Sequence, residues 1–498
     1  MIAVSRAPRN VSASRDEPPL VTSGCGTYAP APAMKRALFL IAALCLPPVG
    51  GVGLTLSVEC PADLWVFWQR VAQSSPLPEG IDVTRVEPGT GPAGAMASLS
   101  LASRGAASAS GARVVGAIPL VPVGRLGESQ GVSRAQGENG SRRLAPLSEV
   151  VLPEVALPVD SAFPDQDGYP FWNDVILTLT ADDQRLRDWY AGIPARESSL
   201  PQGSILWLGA VGDVMPARGV DAALLAPGGI ERVFGDTLPV LKSCGLLLGN
   251  LESSTASGGA PQRKSYTFRF RADALGKLKD AGFSWLSLTN NHTFDFGRSG
   301  FLETLAALSR WGIPTSGAGA DISQASLPSV LTAGTAEVRI LSFGAYPVER
   351  TGFNGYTVAR AGPSRPGILW LDDDGFAAAS RAFTAGAVNV AFVHGGQEWS
   401  GTPTDEQVRL YRELIRRGAT IVLGAHPHVL QRMEACEGGL IAYSLGNFLF
   451  PGMDGTPGGE DSEILRLGIF GGKVRYVQAV PVRLNGDTVR LRDRTKRE

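Results

Sequence analysis

Histidine is the rarest of the catalytically useful residues in this chain, with four among 498 residues. Cysteine is almost as rare. The five, Cys25, Cys45, Cys60, Cys244 and Cys436, form no CxxC pair and no closely spaced set, which excludes a zinc knuckle and a disulfide scaffold. An excess of either charge is also missing: 46 Lys and Arg against 47 Asp and Glu leave a net charge of −1. That is too small for the electrostatic footprint of a nucleic-acid binder, and no RNA- or DNA-binding signature occurs, so nucleic acid is not an expected partner. With 44% hydrophobic residues and a mean hydropathy of +0.05, the chain does not read as a multi-span membrane protein. At 498 residues it exceeds the size at which one core stops growing, and two domains are expected.

Composition divides what is there. Residues 1–33 are rich in Pro, Ser, Ala and Arg without apolar periodicity and read as disorder or an over-long start. Residues 34–58 begin with Met34-Lys35-Arg36, continue with an apolar run over 37–46, and resume as "VGLTLSV" after Pro47 and Pro48. This is the pattern of a signal peptide, or of a membrane anchor if uncleaved. The chain is therefore expected to be exported, periplasmic or held on the outer side of the cytoplasmic membrane. Residues 60–200 form an accessory region. Its Gly/Ala/Ser-rich stretch at 89–116 reads as partly disordered, whereas "DVILTLT" reads as a strand and "ADDQRLRDWYAGI" as a helix with acids in its first turn. A joint, "ARESSLPQGS", leads into a third region over 203–490.

There the pattern becomes regular. The runs "ILWLGAV", "GLLLGN", "WLSLTN", "VRILSFG", "VNVAFVHGG", "TIVLGA" and "LIAYSLGN" are apolar without alternation, as strands buried on both faces are. Helical stretches separate most of them. In "TDEQVRLYRELIRRG", Thr404 with Gln407 reads as a capping box and Gly418 as the stop. This alternation predicts an α/β sheet flanked by helices. The chain ends in strand–turn–strand, with Asn485-Gly486 as the hairpin turn.

All four histidines, His292, His394, His426 and His428, lie just past predicted strands of this region. Other strands there end in Asp213, in Asn250 and Glu252, and in Asn290-Asn291. Ligand sites of open α/β sheets lie outside the carboxyl ends of strands. Carboxylates, amides and imidazoles converging on one rim are a ligand set for one or two divalent metals such as Mn²⁺, Fe or Zn²⁺. His426 and His428, at i and i+2, point the same way if the backbone is extended, as do Asn250 and Glu252. Taken singly, Glu252 reads equally as a salt-bridge or capping acid, and Met215 and Cys244 read as core.

The ordered motifs "GAVGDVMPARG", "LLGNLESS", "WLSLTNNHTFDFGRSG", "VAFVHGGQEW", "IVLGAHPHVLQ" and "IAYSLGNFLF" resemble the bacterial CapA (poly-γ-glutamate capsule biosynthesis) family over roughly residues 204–450. That family is similar to the calcineurin-like metallophosphoesterases. The resemblance implies an α/β fold, a four-layer α/β/β/α sandwich around a two-metal site. It implies Asp213, Asn291, His394, His426 and His428 as metal ligands. It also implies His292 as the residue acting at the leaving group. If the site is active, Asp295 orients His292, and Arg218 or Arg263 with Lys264 holds an anionic substrate; these three basic residues also read as surface charge. Met215 stands where phosphoesterases place a histidine, and Asn250 where they place a bridging Asp. Either Glu252, two residues on, takes the bridging role, or one metal position is weak. Two functions follow as expectations. One is metal-dependent hydrolysis of a phosphoester or related bond, linked to capsule or poly-γ-glutamate synthesis or export. The other is a non-catalytic accessory role, binding a polyanionic polymer. Expected partners are the anionic polymer or phosphoester, the membrane and the capsule-synthesis machinery.

Overall fold

The structure, a computed structural model, describes residues 54–90, 96–103, 112–128, 131–194, 200, 204–334 and 336–492. The readings for residues 1–53, including Cys25 and Cys45, lie outside the described residues. Among the described residues no helix is long and apolar enough to cross a membrane. The apolar stretch at 54–58, which the sequence joins to the segment from Met34, is a strand, Leu54–Glu59. It pairs in parallel with Ile81–Val86 and Met96–Ser103. Its apolar side chains face a sheet core: Leu56 and Val58 are fully buried beside Trp68, Val175 and Leu177.

The accessory region is a seven-stranded sheet. Part of the stretch expected to be irregular is regular in it, as Met96–Ser103 and the start of Arg113–Arg125. The strand and helix expected at its end are Trp172–Thr180 and Gln184–Gly192. Asp183 caps that helix, accepting from Arg185 N–H at 2.8 Å, because a short carboxylate reaches the unpaired first-turn donors.

From Leu206 the chain builds two large mixed sheets and a small two-stranded one. In the seven-stranded sheet, Leu206–Val214, Leu246–Leu251 and Trp285–Ser287 run parallel, and Asp461–Phe470, Lys473–Asn485 and Thr488–Leu491 continue it antiparallel. The six-stranded sheet has Ala336–Ala345, Val388–Gly395, Ile421–Ala425 and Gly439–Ala442 parallel at its centre. The sheets share one core: Leu208, Leu248 and Trp285 of the first meet Ile340, Phe392 and Leu423 of the second. Helices cover the outer faces, with Leu278, Phe301 and Leu308 against the first sheet and Ala379, Leu410 and Leu414 against the second. Burial on both faces explains the unalternating apolar runs: every residue of Leu246–Leu251, Val388–Gly395 and Ile421–Ala425 is buried.

"LIAYSLGN" is two strands, not one. Gly439–Ala442 belongs to the six-stranded sheet, and Asn447–Leu449 pairs with Leu206–Val214 in the other. Residues 443–446 cross between the sheets, and Gly446 C=O accepts from Asp213 N–H at 3.0 Å. The accessory region docks at the opposite end of the Leu206–Val214 strand. Phe163 packs on Trp207 and Tyr476, with ring centroids 4.7 and 5.2 Å apart. Buried Arg475 donates to Val150 C=O. Cys244 and Cys436 are unbridged thiols.

Candidate metal centre

The strand ends converge. Asp213 and Asn250 close neighbouring parallel strands and are paired in register, while His394 closes Val388–Gly395. His426 and His428 follow Ile421–Ala425 in a loop. Its backbone is not extended as the i, i+2 reading requires: φ is +98° at His426 and +60° at His428. Both rings nevertheless enter the cluster, their centroids 6.0 Å apart. Asp213, Asn250, Glu252 and His394 are fully buried, and Asn291, His292, His426 and His428 are at most 7% exposed.

Asp213 Oδ2 lies 3.2 Å from His428 Nδ1 and accepts from His426 N–H at 3.3 Å. Asp213 Oδ1 accepts from Asn250 Nδ2 at 2.8 Å. Glu252 Oε1 sits 4.0, 3.9 and 3.8 Å from ring nitrogens of His292, His394 and His428. His394 Nε2 meets Asn291 Oδ1 at 3.0 Å. The Asn291 oxygen faces the cluster because its Nδ2 donates to Glu349 Oε1 at 3.1 Å.

Asn250 is brought to the cluster but not as an oxygen ligand. Asn290 Nδ2 donates to Leu251 C=O and to Asn250 Oδ1, while Asn290 Oδ1 accepts from His292 N–H. Asn250 therefore turns Nδ2 toward Asp213 and His394. An amide nitrogen, its lone pair delocalised, donates hydrogen bonds and does not hold a cation.

The electrostatics suit one. Burial would raise the pKa of Asp213, but the hydrogen bond and charge of His428, with Asn250, hold it below the usual range. Glu252 is pushed well above its usual range by burial and then by the charge of Asp213. Burial and the neighbouring imidazoles depress His394 strongly, and His426 to about 3, so both are neutral at physiological pH with lone pairs to give. Burial lowers His428 too, but Asp213 outweighs it and the net shift is upward. Glu252 Oε1 and both ring nitrogens of His426 are buried without a hydrogen-bond partner, a cost of about 1–3 kcal/mol for each such group. Ligand atoms of Glu252, His394 and His426, and likewise of Asp213, Glu252 and His428, lie within 4.8 Å of one another. A cation held there would take up the orphaned Glu252 oxygen and one His426 ring nitrogen together.

Beside this cluster His292 Nδ1 lies 2.7 Å from Asp295 Oδ2, and its ring is 4.2 Å from that of Phe268. Lys264 does not take the substrate-holding place expected of it. Its side chain is fully buried, bridging Asp295 at 2.8 Å and Glu349 at 2.9 Å. Two acids far apart in sequence claim the ammonium. Arg218 is exposed at the rim, its guanidinium 5.4 Å from the Tyr266 ring centroid and 4.8 Å from that of Phe268. Arg263 is also exposed. Met215 is core.

The sequence reading left out several residues. Asn447 fixes His428, Oδ1 to Nδ1 at 2.9 Å, and its signal was the Asn of "SLGNF". Glu398 stands in the quoted "HGGQEW", four residues past His394. Asn290 was read with Asn291 as a strand end, but its role in orienting Asn250 was not. Glu349 had no signal, lying in a loop without a motif.

Residues 207–452 match the family described as bacterial capsule synthesis protein PGA_cap. The chain is 30% identical over 243 residues to the PGA biosynthesis protein CapA of Bacillus subtilis, a match covering 48% of this chain and 62% of that protein. It is 27% identical over 286 residues to the capsule biosynthesis protein CapA of Bacillus anthracis, covering 55% and 66%. These two matches thus span less than two thirds of either relative's own length. A probable polyglutamine synthesis accessory protein of Mycobacterium tuberculosis is 30% identical over 278 residues, covering 47% of this chain and 72% of that protein. A hypothetical protein from Thermus thermophilus aligns in structure at 17% identity, covering 56% of this chain and 100% of that one. Its TM-score of 0.35 is too low to bear on fold or function.

Proposed function

Because the chain belongs to the PGA_cap family of bacterial capsule synthesis proteins, we propose that it is an envelope protein of capsule or poly-γ-glutamate synthesis or export. In this reading it hydrolyses a phosphoester or related bond with one or two divalent cations of the Mn, Fe or Zn kind. The observation that carries the reading is the set of buried, partnerless atoms, Glu252 Oε1 with both ring nitrogens of His426. The facing sheets and their outer helices are then a four-layer α/β/β/α sandwich of the metallophosphoesterase type. The residues ahead of Leu54 supply a signal peptide or membrane anchor, and the partners are an anionic polymer or phosphoester and the capsule-synthesis machinery.

Asp213, Glu252 and His428 would hold one cation, and Glu252, His394, His426 and the Asn291 oxygen another. Glu252, common to both sets, would supply the shared carboxylate that the Asn250 amide cannot. Bound there, a divalent cation supplies Lewis acidity and a water of lowered pKa. His292, held at Nδ1 by Asp295, presents Nε2 to the leaving group. Burial and the nearby Lys264 charge lower its pKa, which makes its protonated form a better proton donor. Arg218, steadied on two rings, holds the anionic end of the substrate.

The second reading, a non-catalytic polymer-binding accessory, is favoured by that same exposed Arg218 platform, which needs no metal to bind an anion. Metal analysis of the full chain beside a His426→Ala, His428→Ala variant separates the two, with hydrolysis of a generic phosphodiester run on the same samples. One or two equivalents and turnover, lost together in the variant, are expected. Wild-type protein that takes up no manganese, iron or zinc sinks the hydrolase. Polymer binding that survives His426→Ala favours the accessory.

A further inference from the structure

The loop after the His394 strand carries a carboxylate with no task so far. Glu398 is half-buried, and ligand atoms of Glu398, His426 and His428 all lie within 4.8 Å of one another. The loop is pinned to the histidine segment by two hydrogen bonds. Trp399 N–H donates to Pro427 C=O at 2.8 Å, and Gln431 Nε2 to Ser400 C=O at 2.7 Å. The Trp399 ring rests on His428, centroids 5.1 Å apart.

This arrangement is held against backbone preference. Among the described residues seven non-glycine positions have positive φ, and four of them, Arg218, Trp399, His426 and His428, border the site. Left-handed backbone costs a bulky L-residue of order 1–2 kcal/mol. Strain of this kind persists where the surroundings over-determine it, and it clusters at functional sites. Trp399 at +63°, His426 at +98° and His428 at +60° together bring the Glu398 carboxylate to the histidine pair. His426 is 2% exposed, with no partner at either ring nitrogen. Two imidazoles and a carboxylate are donors for a borderline divalent cation. The charge that Asn250 withholds from the inner side is available here from the solvent side.

We propose that Glu398 is a further metal ligand, facing from the solvent side the two neighbouring cation positions that His426 and His428 enter. The inference rests on the metal-centre reading above, and the experiment separates the two. Cobalt(II) is titrated into the full chain by calorimetry and absorption spectroscopy, for wild type, Glu398→Gln and Glu398→Cys, with thermal melts as the check on folding. The hydrogen bonds that pin the loop do not use the Glu398 side chain, so both variants are expected to fold. Glu398→Gln should raise the Kd for cobalt at least about tenfold, the scale on which loss of metal-site support is felt. Glu398→Cys should add a thiolate-to-cobalt charge-transfer band, which only direct coordination produces. Wild-type affinity in Glu398→Gln, with no such band in Glu398→Cys, overturns the inference and leaves the metal centre standing. A wild-type chain that binds no cobalt overturns both.

Discussion

Replacing Glu252 by Gln removes the carboxyl whose Oε1 three imidazoles face at 3.8–4.0 Å. Without metal that carboxyl is a liability, its pKa pushed well above the usual range by burial and by Asp213, so the amide should leave the metal-free melting temperature unchanged or raise it. With metal the same substitution should abolish most of the stabilisation that ligand binding gives. Melting curves with and without manganese or zinc check both halves, and a structural role alone would lower the first. His426 offers a pH prediction. Its pKa is about 3 in the folded chain against an ordinary 6.5, so between those values the unfolded state binds the extra proton. Stability of the metal-free protein should therefore fall as pH drops from 6.5 toward 3, and His426→Asn should flatten that slope in denaturation measured across the range. At this scale the sequence was legible where side-chain type settles the matter. Asp213, His394, His426 and His428 were visible as strand-end donors. What it could not show was partnership: nothing near Lys264 in sequence reveals that Asp295 and Glu349 bury it, or that Asn290 turns Asn250 around.

Helix caps and close approaches decide the element scale. Thr404 Oγ1 accepts from Gln407 N–H at 3.1 Å, but Gln407 does not return the bond as a full capping box would. Its Nε2 donates instead to Gln431 Oε1 and Tyr443 C=O, both at 2.9 Å, tying Asp405–Arg416 to the crossing between sheets. Thr404→Ala should cost about 1 kcal/mol in chemical denaturation. A larger effect is expected at Gly424, where an added Cβ would lie 1.9 Å from Tyr443 C=O. Overpacking against backbone has no soft side chain to absorb it, so Gly424→Ala should cost about 3 kcal/mol, read as loss of soluble protein or a sharply lowered melting temperature. Strand positions and the Asn485-Gly486 hairpin were readable from apolar runs and turn chemistry. The break of "LIAYSLGN" into strands of two different sheets was not. Periodicity reports burial, and both pieces are buried; only the partner strand differs.

Over the whole molecule the accessory region and the metal centre occupy opposite ends of the Leu206–Val214 strand. Arg475, 5% exposed, donates to Val150 C=O across the junction. Arg475→Ala should leave that carbonyl unpaired and loosen the docking, raising hydrogen exchange over residues 147–172, while metal affinity stays at its wild-type value. A drop in metal affinity would show that the two ends are coupled. The sequence located the joint near residue 200 but not the docking, because aromatic contacts such as Phe163 with Tyr476 join residues too far apart for any local pattern to connect.

The donors of the centre divide by position in the chain. Asp213, Glu252 and Asn291 all come before residue 300, and His394, His426 and His428 all come after residue 390. The 443–446 crossing that draws the two sheets together comes later still. During synthesis the acids leave the ribosome long before an imidazole from the second sheet exists to share an ion with them. No half-made chain can assemble this cluster, so a cation shared by donors from both sheets could be captured only once both sheets have been made and joined.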